Sequence, residues 1–343
     1  MNHPTRTSTS TANPSLGNIG LRPDAWYRRM LGDGTTIIVV ILAVLAVIFA
    51  ATQSDALSAT VITDILNNSL PLALAAAGGT LVVLTRGFDL SVAGVVSLTN
   101  VLVAVHGGDG PWGALQGAAI AVAAGAFVGA INGYLVAYWK LQSIALTLAT
   151  MIVCSGIALL ILDAPGGNVS DFMNYAMTDR IRGVLPVALA IALATYAIWR
   201  VLRRTDWGVG LYATGADETA AVLAGVPVRR VKLIAYILAG VCYGLAGFML
   251  TALTATGTPN AGEPYLLLVF AAIALGGTSF SGGRGGVAGS ILGALTLTLL
   301  QKVLFSTGVS SFYTGIFQGA VMIAAVVVAV FFARVSAQGE IRA

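Results

Sequence analysis

Charge is scarce in this sequence. Of its 343 residues 9% are charged and 57% are hydrophobic, whereas soluble domains carry roughly 25% charged residues. With a mean hydropathy of +0.89, the chain has more apolar surface than a soluble globule of this length could hide. A single cytosolic or secreted domain is therefore excluded, and the useful unit is the membrane span of about 20 residues. The 41 glycines follow no three-residue period, which excludes collagen. Only two cysteines occur, Cys154 and Cys242, both inside apolar stretches. They read as small core residues and not as a disulfide or metal pair.

The residues of catalysis are equally thin. The only histidines are His3 and His106, so a His-rich metal site is excluded, and acidic pairs at metal-ligand spacing are lacking. Asp217-Glu218 is the one adjacent acidic pair. A phosphate-binding P-loop needs a lysine followed by Ser or Thr, but Lys140, Lys232 and Lys302 are followed by Leu, Leu and Val. The glycine-rich run 276–286 is therefore not a nucleotide site. The sequence assigns no catalytic residue, no metal ligand and no cofactor to this chain, and an intramembrane enzyme has no constellation to rest on.

What is present is a series of apolar windows, at about 36–52, 65–85, 88–106, 114–138, 143–162, 184–201, 233–255, 264–281, 286–305 and 314–333. They are continuous and not alternating, which argues for an all-α bundle of ten transmembrane helices over a β-barrel. Spans 65–85 and 88–106 are separated only by Arg86 and Gly87, so one of them could be broken or re-entrant. With the N-terminus inside, fifteen of the eighteen basic residues fall on one side. This predicts cytoplasmic termini. The expected organisation is a cytoplasmic tail over 1–34, a permease domain over 35–335 with an inner loop at 203–232, and a short tail over 336–343. The net charge of +4 suits anionic lipid and is no sign of nucleic acid.

Gly113, Gly117, Ala121, Gly125, Gly129 and Gly133 recur every fourth position, and Gly285, Gly289 and Gly293 do the same later. Such rows let helix backbones approach closely in lipid. They suit either packing inside one subunit or a helix lining a moving pathway. Asp64, Asp89, Glu263 and Lys302 are ionisable groups near span ends, and snorkelling or a local pair such as Arg86 with Asp89 explains them more cheaply than a proton relay, which nothing in the sequence demands.

The inner loop is the most informative stretch. Asp217 suits an N-cap and Glu218 the first turn of a helix. Ala220, Ala221, Val222, Leu223 and Ala224 favour helix, and Gly225 is placed to end it. A helix of about two turns is unstable alone and needs a partner surface. The run Gly215, Asp217, Ala220, Ala221, Gly225, Val226, followed by Arg229, Arg230 and Lys232, resembles the coupling segment of bacterial ABC-importer permeases of the ribose and simple-sugar class. Three further stretches agree: Gly87, Asp89, Leu90, Ser91 and Val92; Asn132-Gly133 with Leu146, Thr147, Leu148 and Met151; and Gly276, Gly277, Thr278 and Ser279 with Gly282, Gly283 and Gly285. The likeness covers about residues 65–330, in order.

The resemblance implies a permease subunit that imports a small polar solute, with a monosaccharide the first expectation. It also implies a bacterial inner-membrane location, a separate ATPase chain that uses the ATP, a second permease chain and a substrate-binding protein outside. It places ATPase coupling at Gly215, Asp217, Glu218, Ala220, Ala221, Gly225 and Val226, and makes Asn67, Asn68, Phe88, Asp89 and Asn132 candidates for the pathway. The sequence departs from the family pattern at Arg86 and Ala93 (both expected Gly), at Ser143 (expected Pro), at Asp217 (expected Asn) and at Leu266, Leu267 and Leu268 (expected Glu-Leu-Asp). The missing acids keep a branched-chain amino-acid-type permease open, and an autonomous secondary transporter is the alternative from another class.

Overall fold

The computed structural model describes residues 34–308, together with six helical positions between Tyr313 and Ile323. The expected N- and C-terminal tails and most of the last expected span, 314–333, lie outside the described residues.

The chain opens with α1 (Gly34–Thr52), closed where the Thr52 hydroxyl turns back onto the carbonyls of Ile48 and Phe49. Ser58 caps α2 (Ala59–Leu84) by accepting a bond from the amide of Val61. After α3 (Val92–His106), Pro111 in the first turn starts α4 (Gly110–Ala137), since its missing N–H would be unsatisfied there anyway. Then come α5 (Ser143–Ile161), the short α6 (Asp171–Thr178) and a small antiparallel hairpin, β1 (Arg180–Ile181) and β2 (Leu185–Pro186). The remainder is α7 (Val187–Leu202), α8 (Asp206–Ala216), α9 (Glu218–Leu223), α10 (Val228–Thr254), α11 (Tyr265–Leu275) and α12 (Val287–Ser306).

Among the described residues five helices, α2, α4, α5, α10 and α12, are long and apolar enough to cross a membrane. The Ile38–Thr52 part of α1, with α3, α7 and α11, is apolar but shorter. Helix α2 lies in the centre of the bundle, buried over most of its length, whereas α5 is largely exposed on the outside. The glycine row of α4 packs along α10 inside the subunit. A methyl group on Gly125 would lie 2.1 Å from the Gly240 carbonyl oxygen, one on Gly129 2.3 Å from that of Tyr236, and one on Gly244 2.1 Å from that of Ala121. The Gly289–Gly293 row meets Gly276 and Ala272 of α11 in the same way. Both rows therefore serve close helix contact within one chain. Cys154 and Cys242 are free thiols in the interior.

Two of the expected spans are not continuous helices. In the window 88–106 the helix begins only at Val92, and in 264–281 it runs only from Tyr265 to Leu275. Eleven residues rise about 16 Å, roughly half the hydrocarbon thickness. The missing half is supplied by residues 255–264, which descend beside α3 one helical turn at a time. Gly257 lies against Ala104; the Thr258 amide donates to Asn100 Oδ1 (2.6 Å) and the Gly262 amide to Ser97 Oγ (2.9 Å); a methyl on Gly262 would collide with the Ala93 carbonyl. Positions 93, 97, 100 and 104 share one face of α3. Gly262 thus sits about 20 Å down α3 from its far end, and the N-termini of α3 and α11 come together deep in the bundle. The runs Gly78-Gly79-Thr80 and Gly276-Gly277-Thr278, alike in sequence, differ in conformation. The first lies inside α2, while the second ends α11.

Candidate functional site

Asp217 makes the junction of α8 and α9. Its extended backbone (φ −155°, ψ 110°) ends α8, and its Oδ1 accepts the amide of Ala220 (3.0 Å), starting α9. Helix α9 stops at Leu223, and Gly225 (φ +81°) reverses the chain as expected, its amide donating to Val222 while that of Val226 returns to Ala221. Glu218 pairs with Lys232 at the start of α10 (2.7 Å), which ties the segment down at its far side. Ala221 is only 4% exposed and packs inward, whereas Leu223 stands 84% exposed and Val222 is also exposed. The apolar face presented outward is therefore Val222 and Leu223, which the residue pattern had placed among helix formers only. The preceding helix α8, with Thr205 capping Gly208, was not legible as a helix of its own.

Gly215 and Ala216 bring this segment onto the bundle. A methyl on Gly215 would lie 1.8 Å from the Leu84 carbonyl oxygen and 2.4 Å from the Gly283 amide, which are themselves hydrogen-bonded (3.1 Å). Three chain segments, the end of α2, the end of α8 and the glycine-rich 276–286 loop, thus meet at one backbone contact. Arg86 joins the same three. It does not pair with Asp89: its Nε donates to the Ser281 carbonyl (2.7 Å) and an Nη to that of Ala216 (2.8 Å). The expected local ion pair is corrected by this geometry, because backbone carbonyls at a helix end attract the guanidinium while Asp89 turns inward.

Asp89 is 3% exposed and accepts bonds from the amide and hydroxyl of Ser91. The carboxylate thus sits beside the buried N-terminus of α3, where the positive dipole end favours a negative charge. The network continues outward. Asn132 Nδ2 donates to Ser91 Oγ (3.1 Å), Asn132 Oδ1 accepts from Thr150 (2.7 Å), and the Leu90 amide donates to Thr147 (2.9 Å). Tyr236 donates to the Phe88 carbonyl (3.3 Å). The buried Tyr243 hydroxyl has no hydrogen-bond partner among the described residues. Phe88 itself, half-buried, stacks on Phe280 (centroids 5.8 Å apart) and leans on Phe270 (5.9 Å).

Asn67 and Asn68 fall elsewhere. Asn67 donates to the Thr178 carbonyl (2.6 Å) at the end of the bundle opposite α8 and α9, and its buried Oδ1 has no partner among the described residues. Asn68 bonds back to Asp64, whose carboxylate also pairs with Lys302 at 2.5 Å. The structure thus brings Phe88, Asp89 and Asn132 together and leaves Asn67 and Asn68 apart. Asn100, which binds Thr251 and Thr258 and anchors the descending segment, was visible in the sequence only as a polar residue within an apolar run. No group of three or more His, Cys, Asp or Glu residues placed to hold a metal ion occurs among the described residues.

A profile of the family described as "Branched-chain amino acid transport system / permease component" matches residues 61–326. The chain is 35% identical over 270 residues to the ribose import permease protein of Escherichia coli (strain K12), covering 77% of this chain and 84% of that one. It is 38% identical over 259 residues to the ribose import permease protein of Bacillus subtilis (strain 168), covering 74% and 79%. With the D-allose transport system permease protein of Escherichia coli (strain K12) it shares 32% over 292 residues, or 83% and 88% of the two chains. No solved structure matches.

Proposed function

Because the chain belongs to the branched-chain amino acid transport system / permease component family, we propose that it is the membrane subunit of a binding-protein-dependent ABC importer for a monosaccharide. The observation that carries this reading is the α8–α9 segment: two short helices whose backbone is clamped to the bundle while Val222 and Leu223 stay exposed. An apolar face on a helix too short to hold itself is suited to a groove on a soluble partner, here an ATPase chain that uses the ATP. The sugar assignment rests on the ribose and allose permeases that match most of the chain.

In this reading the α8–α9 end faces the cytoplasm of a bacterium, the chain lies in the inner membrane with ten passes and both termini inside, and α6 with the β1–β2 hairpin faces a binding protein outside. Two permease chains enclose the pathway, alike or different. Closure of the ATPases moves the α8–α9 segment as a rigid body. The interrupted α3 and α11 set irregular backbone beside the pathway, an arrangement membrane carriers use where polar solute must be met at depth. Phe88, Asp89 and Asn132 belong to that region. Asp89 acts there through the N-terminus of α3, since it is buried away from any solute.

The test is co-purification and uptake. The tagged chain, expressed with its neighbouring genes, is expected to retain an ATPase subunit in mild detergent and to support ATP-dependent uptake of ribose or allose into proteoliposomes. Leucine uptake in place of sugar would move the assignment to the branched-chain amino-acid type. Uptake driven by an ion gradient with no ATPase bound would overturn the importer reading.

A further inference from the structure

Arg86 stands in a left-handed conformation, φ +63°, a region that favours glycine and costs other residues about 1 kcal/mol or more. A large cationic side chain stands there although a glycine, the residue the family pattern has at this position, would relieve the backbone, so the side chain has to be considered on its own account. Its stem lies on Gly282, so closely that a methyl there would sit 2.5 Å from Arg86 Cγ. Its guanidinium spans two separate backbone groups: the carbonyl of Ala216, the last residue of α8, and that of Ser281 in the loop between α11 and α12. The Ala216 carbonyl is one of those a helix leaves unpaired at its C-terminus, where a cation is favoured.

The two loops so joined carry the aromatic cluster. Arg86 is two residues before Phe88, Ser281 directly follows Phe280, and the Phe88 and Phe280 rings stack with Phe270 of α11 against them. Beyond Phe88 the chain passes through Asp89 and Ser91 into the buried N-terminus of α3. A displacement of α8 is therefore handed through one planar, two-pronged side chain to both loops at once.

We infer that Arg86 is a positioning residue for coupling: a strut that moves the stacked Phe88–Phe280 pair, and with it α3 and α11, with the α8–α9 segment. The inference rests on the importer reading above. A lysine could not reproduce it, because its single ammonium lacks the rigid fork that reaches two carbonyls in fixed directions.

The experiment compares Arg86→Gly, Arg86→Lys and wild type in the complete importer in proteoliposomes, measuring sugar uptake and ATP hydrolysis together with the thermal midpoint. Arg86→Gly removes the strut and the backbone strain together. It is expected to leave the ATPase subunit bound and the midpoint unchanged or raised, while sugar delivered per ATP falls about tenfold, within the usual range of site-to-site coupling. Arg86→Lys is expected to fall between. Unchanged sugar per ATP in Arg86→Gly would overturn the strut. Uptake and hydrolysis falling in proportion, with a lowered midpoint, would overturn it too and make Arg86 purely structural. If the wild-type chain itself holds no ATPase, the importer reading fails first and takes the strut with it, an outcome separate from either of these.

Discussion

Gly215 and Leu84 are in backbone contact: the Leu84 carbonyl oxygen occupies the place where a side chain on residue 215 would begin, 1.8 Å from a Cβ. The end of α8 thus rests on the end of α2 with nothing between them. Gly215→Ala is expected to lower the thermal midpoint in detergent, at a cost of about 2 kcal/mol. Normal stability with normal uptake would show that the contact yields freely.

The outward face of α9 gives a sharper test of docking than its inward face. Leu223→Glu leaves the fold intact, since the residue is exposed, yet it is expected to abolish retention of the ATPase subunit in mild detergent. Ala221→Glu places a charge at a buried position and is expected to reduce the yield of folded chain as well. Equal losses of folded chain in both variants would mean that Leu223 is not a docking residue.

The α4–α10 crossing separates tight glycines from idle ones. A methyl at Gly240 would lie 2.1 Å from the Gly125 carbonyl oxygen, while Gly156 has nothing within 4 Å. Gly240→Ala is expected to destabilise by about 2 kcal/mol or more, read as a lowered thermal midpoint, and Gly156→Ala to leave the midpoint unchanged. The reverse order would contradict the packing described here.

Asn100 holds the descending segment. Asn100→Leu removes the acceptor for the Thr258 amide and the donor to Thr251 Oγ1. Leaving such groups buried and unpaired costs about 1–3 kcal/mol each. Faster proteolysis or amide exchange over 255–264, ahead of the rest of the chain, is the expected signature. Uniform loosening of the whole bundle would instead place Asn100 in the general core.

Much of the site could be read from residue types. Asp217 caps, Gly225 reverses, and the Ala-rich stretch between them is helical, because short-range chemistry decides all three. The glycine rows announced close helix contact, though not the partner, which depends on the whole bundle. At 88–106, where a broken or re-entrant span was one expectation, the helix starts four residues late, and at 264–281 hydropathy overran the helix, because it counts apolar residues without regard to backbone geometry. Phe88, Leu90 and Phe280 are apolar enough to extend a window but lie in loops held by specific contacts. The Arg86–Asp89 pairing failed for a related reason. Proximity in sequence favoured it, while carbonyls from 130 and 195 residues away supplied the better partners.

The half-length of α11 also bears on how the protein is made. Eleven residues are too few to enter a bilayer as an independent unit during synthesis, and residues 255–264 carry backbone groups that hydrocarbon cannot satisfy. Their partners, Ser97 and Asn100, are translated some 160 residues earlier. Insertion of this stretch therefore has to wait until α3 stands ready to receive it, so biogenesis ends with the late segments docking onto the early ones. A chain truncated before residue 255 would leave Ser97 Oγ and Asn100 Oδ1 without the amides of Gly262 and Thr258 that they accept.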